Sequence, residues 1–223
     1  MRLISIIFLL SALWINAQTT PLTKAIRLEK FDDAKKHITP ELVNKMDQGQ
    51  YHPLTYAVYT GNNELIESLL KAGADPNIVE HNGKTALYVA ANLANTQGLK
   101  LLHKHGAKRP PKTALSPAVA AVHSSSLDSL QTLLELYPDI DLNRGWKKAD
   151  KYYRTRPVGA VSYAAYHSYN DIALYLLTKN IDVTPTDWEG NNALNWTSGN
   201  PRCSVELVRK LLARGLAPPL STT

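Results

Sequence analysis

The chain contains a single cysteine, Cys203, among 223 residues. One cysteine excludes an intramolecular disulfide, so the fold must be stable by packing alone. It also leaves no cysteine pair for a redox or zinc motif. No zinc-protease helix motif, nucleophile elbow or phosphate-binding glycine loop occurs. His103 and His105 lie two apart, and such residues do not share a helix face. A favourable interaction with a helix C-terminus accounts for them without a metal. The chain is therefore not expected to be an enzyme, and no catalytic, cofactor or metal site is expected. Long apolar runs are missing too. Leu3 to Ile15 is 13 residues, interrupted by Ser5 and Ser11, and falls short of the roughly 20 a membrane-spanning helix needs.

What is present is a repeat. His52 to Lys84 reads HPLTYAVYTGNNELIESLLKAGADPNIVEHNGK, and the next copy begins at Thr85 as TALYVAANLANTQGLKLLHKHGAK. Pro53 to Ala57 aligns with Ala86 to Ala90, and Gly73-Ala74 with Gly106-Ala107, both at an offset of 33. A fixed period of this length is the signature of a solenoid, whose units stack because none can bury its apolar face alone. Leu65, Ile66, Leu69 and Leu70 fall at helical spacing and form an apolar stripe. Gly73 follows where a left-handed helix terminator favours glycine. Pro53 stands where a first helical turn tolerates proline. Ala57 and Ala90 are small where two helices must approach closely.

These residues resemble the ankyrin repeat family, whose consensus opens T-P-L-H-x-A, continues through a glycine and E-[IV]-V-x-x-L-L, and ends G-A-D-x-N. The match runs through His52-Pro53-Leu54, Ala57, Gly61, Glu64-Leu65-Ile66, Leu69-Leu70 and Gly73-Ala74-Asp75-Pro76-Asn77. The resemblance implies an all-α solenoid of five to six helix-turn-helix units with β-turn fingers, serving as a protein-protein interaction module. The units are placed at about 22–50, 52–84, 85–112, 115–143, 158–190 and 191–219, within one domain from 18 to 223. The later copies are degraded. Thr55, Tyr88, Val119, Ser162 and Asn195 replace the family's buried histidine. The third unit carries two extra residues around Pro138, and the fifth two near Gly199 and Pro201.

Residues 1–17 stand apart from the repeat. Arg2, the apolar run and Ile15-Asn16-Ala17 before polar Gln18 read as a secretory signal peptide cleaved after Ala17. An uncleaved anchor is the alternative. The expectation is an exported protein, periplasmic or otherwise secreted. Cys203 reads as a residue of a helix-connecting loop, with intermolecular pairing as the alternative.

The formal charge is +6. Without Arg2 there remain 24 basic and 19 acidic residues, a balance of +5. The insert RGWKKADKYYRTR at 144–156 carries that whole excess, in Arg144, Lys147, Lys148, Lys151, Arg154 and Arg156 against Asp150. It also holds Trp146, Tyr152 and Tyr153. In the ankyrin family this connection is a projecting finger, and long loops on rigid scaffolds tend to carry function. The preceding finger, Lys108-Arg109-Pro110-Pro111-Lys112, is basic as well and extends the patch. The following one is acidic and aromatic, with Asp182, Asp187, Trp188 and Glu189.

Arginine, tryptophan and tyrosine together dominate binding hot spots. The partner-binding residues are therefore placed at Arg144, Trp146, Lys147, Lys148, Lys151, Tyr152, Tyr153, Arg154, Arg156, Lys108, Arg109, Lys112 and Trp188, facing a partner protein of acidic character. Nucleic acid is not expected for an exported chain, and the free protein is expected to be monomeric. A loop that merely aids solubility is the plain alternative. A peripheral adaptor on anionic lipid is the functional one. The tyrosines Tyr56, Tyr59, Tyr163, Tyr166, Tyr169 and Tyr175, placed on helices, offer a second candidate surface. The roles considered are an immunity or inhibitor subunit and an accessory subunit of an exported enzyme.

Overall fold

A computed structural model describes residues 19–47, 51–143, 159–179, 181–187, 189–198 and 200–217. The signal-peptide segment, the basic insert and Trp188 lie outside the described residues. The chain forms two compact units, one ending at Pro117 and the other beginning at Ala118. Every regular element among the described residues is helical. The helices come in pairs: α1 (Pro21–Arg27) with α2 (Phe31–Lys36), α3 (Pro53–Thr60) with α4 (Asn63–Lys71), α5 (Ala86–Asn92) with α6 (Thr96–Lys104), α7 (Pro117–His123) with α8 (Leu127–Leu136), α9 (Ala160–Tyr166) with α10 (Asn170–Leu176), and α11 (Ala193–Ser198) with α12 (Val205–Ala213). The architecture is the all-helical ankyrin-repeat solenoid. Among the described residues no helix is long and apolar enough to cross a membrane.

The local sequence explains each element. In α4, Asn62 caps the N-terminus by accepting from the Leu65 amide at 2.9 Å. Glu64 occupies the first turn and Lys71 the last, matching the helix dipole. Leu65, Ile66, Leu69 and Leu70 are buried. Gly73 ends the segment at φ 93°, a conformation that suits glycine. Asn95, Ser126 and Ser204 cap α6, α8 and α12 in the same way.

In the first unit α1, α3 and α5 pack successively, and so do α2, α4 and α6. Leu22, Ile26, Leu65, Ile66, Leu69, Leu87, Leu99 and Leu102 fill the space between them. In the second unit α9 packs on α11 and α10 on α12, around Ile172, Leu176, Leu207 and Leu211.

Within each unit asparagines tie one repeat to the next, at three places in all. Asn44 donates to the Gly73 carbonyl at 2.9 Å and accepts from the Asp75 amide at 2.8 Å. Asn77 does the same to Gly106 and Lys108, at 3.2 and 2.7 Å. Asn143 accepts from the Asp182 amide at 2.9 Å. These contacts set the starting point of the fingers.

The fingers themselves close on buried acids. The amide of Glu80 donates to the Lys84 carbonyl at 2.8 Å, and that of Asp187 to the Asn191 carbonyl at 3.0 Å. The Glu80 carboxylate accepts from the His52 amide and ring nitrogen, both at 3.1 Å. Asp187 accepts from the amides of Glu189 and Asn191, both at 2.9 Å, and from Asn191 Nδ2 at 3.0 Å. This corrects the reading of Asp187 as part of an acidic surface: its carboxylate is spent inside the turn. Tyr169 stands at the N-cap position of α10, just outside the helix.

Candidate functional site

In the first unit α3 presents Tyr56 and Tyr59 three residues apart, on one side of the helix. Tyr51, on the segment leading into α3, meets both edge-on with ring centroids 5.5 Å away. His81 stands edge-on to Tyr51 at 6.0 Å. Polar groups fix the rings. Asn82 Nδ2 donates to the Tyr51 hydroxyl at 2.6 Å, and Lys84 Nζ to the Tyr59 hydroxyl at 3.0 Å. Lys84 also lies over the Tyr59 ring, 5.6 Å from its centroid, and Arg27 over the Tyr56 ring at 5.8 Å.

Arg27 reaches back to Asp47 at 3.5 Å, so the local acids Asp47 and Glu80 are both buried and both occupied. The groups left at the surface are tyrosines and cations. Burial raises the Tyr59 hydroxyl, opposed by the Lys84 hydrogen bond. That same bond, opposed by burial, raises Lys84. Tyr59 therefore remains a neutral phenol beside an ammonium at neutral pH. The arrangement offers ring faces, hydroxyls and positive charge, held rigid before any partner arrives.

The finger after α6 carries Lys108, Arg109 and Lys112, all exposed, around a buried Pro110. Asn77 anchors the Lys108 amide. Lys108 and Arg109 border a recess of about 430 Å³ shared with Asp75, Pro76 and Pro111. These three are the only members of the sequence-derived binding set among the described residues. Arg144, Trp146, Lys147, Lys148, Lys151, Tyr152, Tyr153, Arg154, Arg156 and Trp188 lie outside them.

The second unit holds an aromatic array that sequence reasoning found only in part. Tyr163 lies between His123 and His167, with centroids 4.5 and 4.3 Å away. His167 stacks on Tyr169 at 5.4 Å and meets Tyr166 edge-on at 4.9 Å. Tyr166 stands edge-on to Trp196 at 5.1 Å. Burial lowers His123, with a smaller effect from His167, and burial lowers His167. Trp196, Asn200 and Arg202 were missed as site residues. The two extra residues near Gly199 and Pro201 were the available signal, since they lengthen the connection that these side chains occupy. Cys203 lies in that connection, donating its thiol to the Ala165 carbonyl at 3.1 Å, and burial raises its pKa. Among the described residues no group of three or more acidic, histidine or cysteine side chains is arranged to hold a metal.

Comparison with known proteins agrees with this architecture. The model of ankyrin repeats in three copies matches residues 54–144. The chain is 29% identical to inversin of Canis lupus familiaris over 174 residues, covering 77% of this chain but only 15% of inversin. It is 30% identical to cyclin-dependent kinase 4 inhibitor B of Rattus norvegicus over 126 residues, covering 55% of this chain and 88% of that protein. The human ASB11 ankyrin repeat domain superposes with a TM-score of 0.69 at 20% identity, over 89% of this chain and 85% of that one. The period, the paired helices, the asparagine ties and these matches have one reading: the chain belongs to the ankyrin repeat family.

Proposed function

We propose that this chain is an exported ankyrin-repeat protein that binds one partner protein and acts as its inhibitor or immunity subunit. The carrying observation is the preorganised cluster of Tyr51, Tyr56 and Tyr59 under Arg27 and Lys84, with its acids turned inward. Tyrosine and arginine are enriched in binding hot spots, and a cation-rimmed surface complements an acidic partner. An inhibitory role has a parallel in the rat relative, which is by name an inhibitor of a kinase. Export is supported by Arg2 and the apolar run to Ile15. The basic insert 144–156, with Trp146 and Tyr153 as anchors, would extend the contact alongside Lys108, Arg109 and Lys112.

The test is capture of the partner by the exported chain, followed by binding kinetics on the purified pair. Replacing Tyr51 and Tyr59 together by Ala is expected to cost at least about 2 kcal/mol of affinity. Neutralising the insert and Lys108, Arg109 and Lys112 is expected to slow association and flatten its salt dependence. Unchanged kinetics in both sets would refute the reading. The exposed Lys108, Arg109 and Lys112 also favour a second reading, attachment to anionic lipid. Flotation with anionic vesicles at low salt, lost at high salt and with no protein partner captured, would establish that instead.

A further inference from the structure

The connection from α11 to α12 is unusual in this chain. It runs from Ser198 to Val205, whereas Gly61 and Asn62 alone separate α3 from α4. It is also firmly held. Asn200 Nδ2 is within reach of the Ala165 carbonyl at 3.3 Å, the Tyr166 carbonyl at 3.0 Å and Ser168 Oγ at 2.7 Å. Asn170 Nδ2 donates to the Arg202 carbonyl at 2.9 Å, and the Ser204 amide donates back to Asn170 Oδ1 at 2.8 Å. Asn200, Arg202 and Ser204 thus hold a fixed wall. With Tyr166, His167, Asn195 and Trp196 this wall encloses a recess of about 650 Å³.

Two features of this recess are unusual. First, its charge is one-sided. Arg202 lines it, no carboxylate does, and among the described residues Arg202 has no ion-pair partner. Second, among the described residues the buried Trp196 indole N–H has no hydrogen-bond partner. A buried donor left unmade is costly, and such groups in a folded protein call for an explanation. Tyr166, at the C-terminal end of α9, is 47% exposed and stands perpendicular to the indole at 5.1 Å.

We infer that this recess receives a carboxylate side chain, glutamate or aspartate, presented beside an aromatic residue on the partner protein. The inference rests on the protein-binding reading above and names the chemistry of one contact. Arg202 supplies the fork that matches a carboxylate. Tyr166 and Trp196 supply edge-and-face surfaces for the neighbouring ring. Trp196 lines the recess, so a carboxylate and ring seated there alter the indole environment. A neutral ligand such as a sugar would use the same rings and amides but would not depend on Arg202.

The experiment follows the Trp196 indole N–H resonance of the ¹⁵N-labelled chain, assigned by its loss in Trp196→Phe. The probes are the peptide acetyl-Ala-Glu-Tyr-Glu-Ala-amide and its counterpart with Gln at both Glu positions, each titrated to about 5 mM, enough for a contact of millimolar affinity. The glutamyl peptide is expected to shift the resonance saturably. The glutaminyl peptide, and the glutamyl peptide on Arg202→Gln, should bind about tenfold more weakly. Arg202 is exposed, so its substitution leaves folding intact, which the spectrum itself verifies. No shift with the glutamyl peptide, or equal affinity for both peptides, overturns the inference. Partner capture separates the two levels. Capture that persists while the titration fails removes this recess alone. Failure to capture any partner removes the protein-binding reading itself, and capture unaffected by the Tyr51 and Tyr59 replacements removes the tyrosine cluster as its surface.

Discussion

Leu69→Ala probes the stacking on which every other feature depends. Leu69 is 0% exposed and sits on α4 beside Leu65 and Ile66, which are equally buried. α4 packs against α2 and α6 as well as α3, so the side chain serves neighbouring repeats. The substitution removes three carbons. At about 0.8 kcal/mol for each buried methylene, the transfer loss alone is about 2.4 kcal/mol. The cavity adds to it, because helices pinned on three sides relax little, giving about 2–5 kcal/mol in total. The assay is urea denaturation followed by circular dichroism, with Leu212→Ala as control. Leu212 is 46% exposed on α12, so its truncation should stay within about 0.5 kcal/mol. Amide exchange adds the location. In a solenoid the loss is shared between a repeat and its neighbours, so protection should fall in α2, α4 and α6. A loss below about 1 kcal/mol, or protection lost only in α9 to α12, would refute the assigned register.

Three further outcomes are expected. Asp187→Ala strands three donors at once and should cost about 3 kcal/mol, while Asp187→Asn keeps an acceptor oxygen and should cost about 1 kcal/mol; equal losses in thermal melts would contradict the anchoring role. Ala94 joins α5 to α6 at φ 53°, the junction where Gly61 stands at 70°, so Ala94→Gly should gain up to about 1 kcal/mol, and a lowered denaturation midpoint would show that the strain is absent. His123 is depressed in the folded state by burial and then by His167, so the unfolded chain takes up the proton first, near pH 6.5. Stability is full above that pH and falls as the pH drops through it towards the lower folded value. His123→Gln should flatten the decline in urea midpoint between about pH 7.5 and 5.5, and an unchanged slope would exclude His123 as its source.

The fold was legible because its determinants are local and periodic. The stripe Leu65, Ile66, Leu69, Leu70, the terminator Gly73 and the proline at the start of α3 all lie within one repeat, and at an offset of 33 Leu99, Leu102 and Gly106 repeat Ile66, Leu69 and Gly73. The site was less legible because its determinants join residues about thirty positions apart. Asn77 reads as a loop residue until stacking places Gly106 and Lys108 beside it. Tyr59 reads as one of many tyrosines until the finger brings Lys84 to its hydroxyl. Asp47, Glu80 and Asp187 carry the same symbol as any surface acid, and only the turn geometry turns them inward. Nothing in the sequence around Trp196 announces the wall that Asn200 builds.

The inward acids bear on partner choice at two distances. Far from the protein a partner senses the total charge, +6, whatever the burial of individual groups. Within hydrogen-bonding reach it senses only what is exposed. Around Tyr56 and Tyr59 those groups are Arg27 and Lys84, because Asp47 and Glu80 are occupied beneath them. Around Trp196 the charged group is Arg202. The finger turns and the binding surfaces are therefore coupled in sequence. The acids whose amides close the turns have their carboxylates withdrawn from the surfaces those turns display, and the cations remain. On the proposed reading, preference for an acidic partner then belongs to the described repeats themselves. It should survive neutralisation of the insert at 144–156, with a slower association rate but with the selectivity of Lys84 and Arg202 retained. Removing Lys84 and Arg202 while keeping the insert should do the reverse, leaving fast, salt-sensitive encounter without discrimination between glutamate and glutamine on the partner.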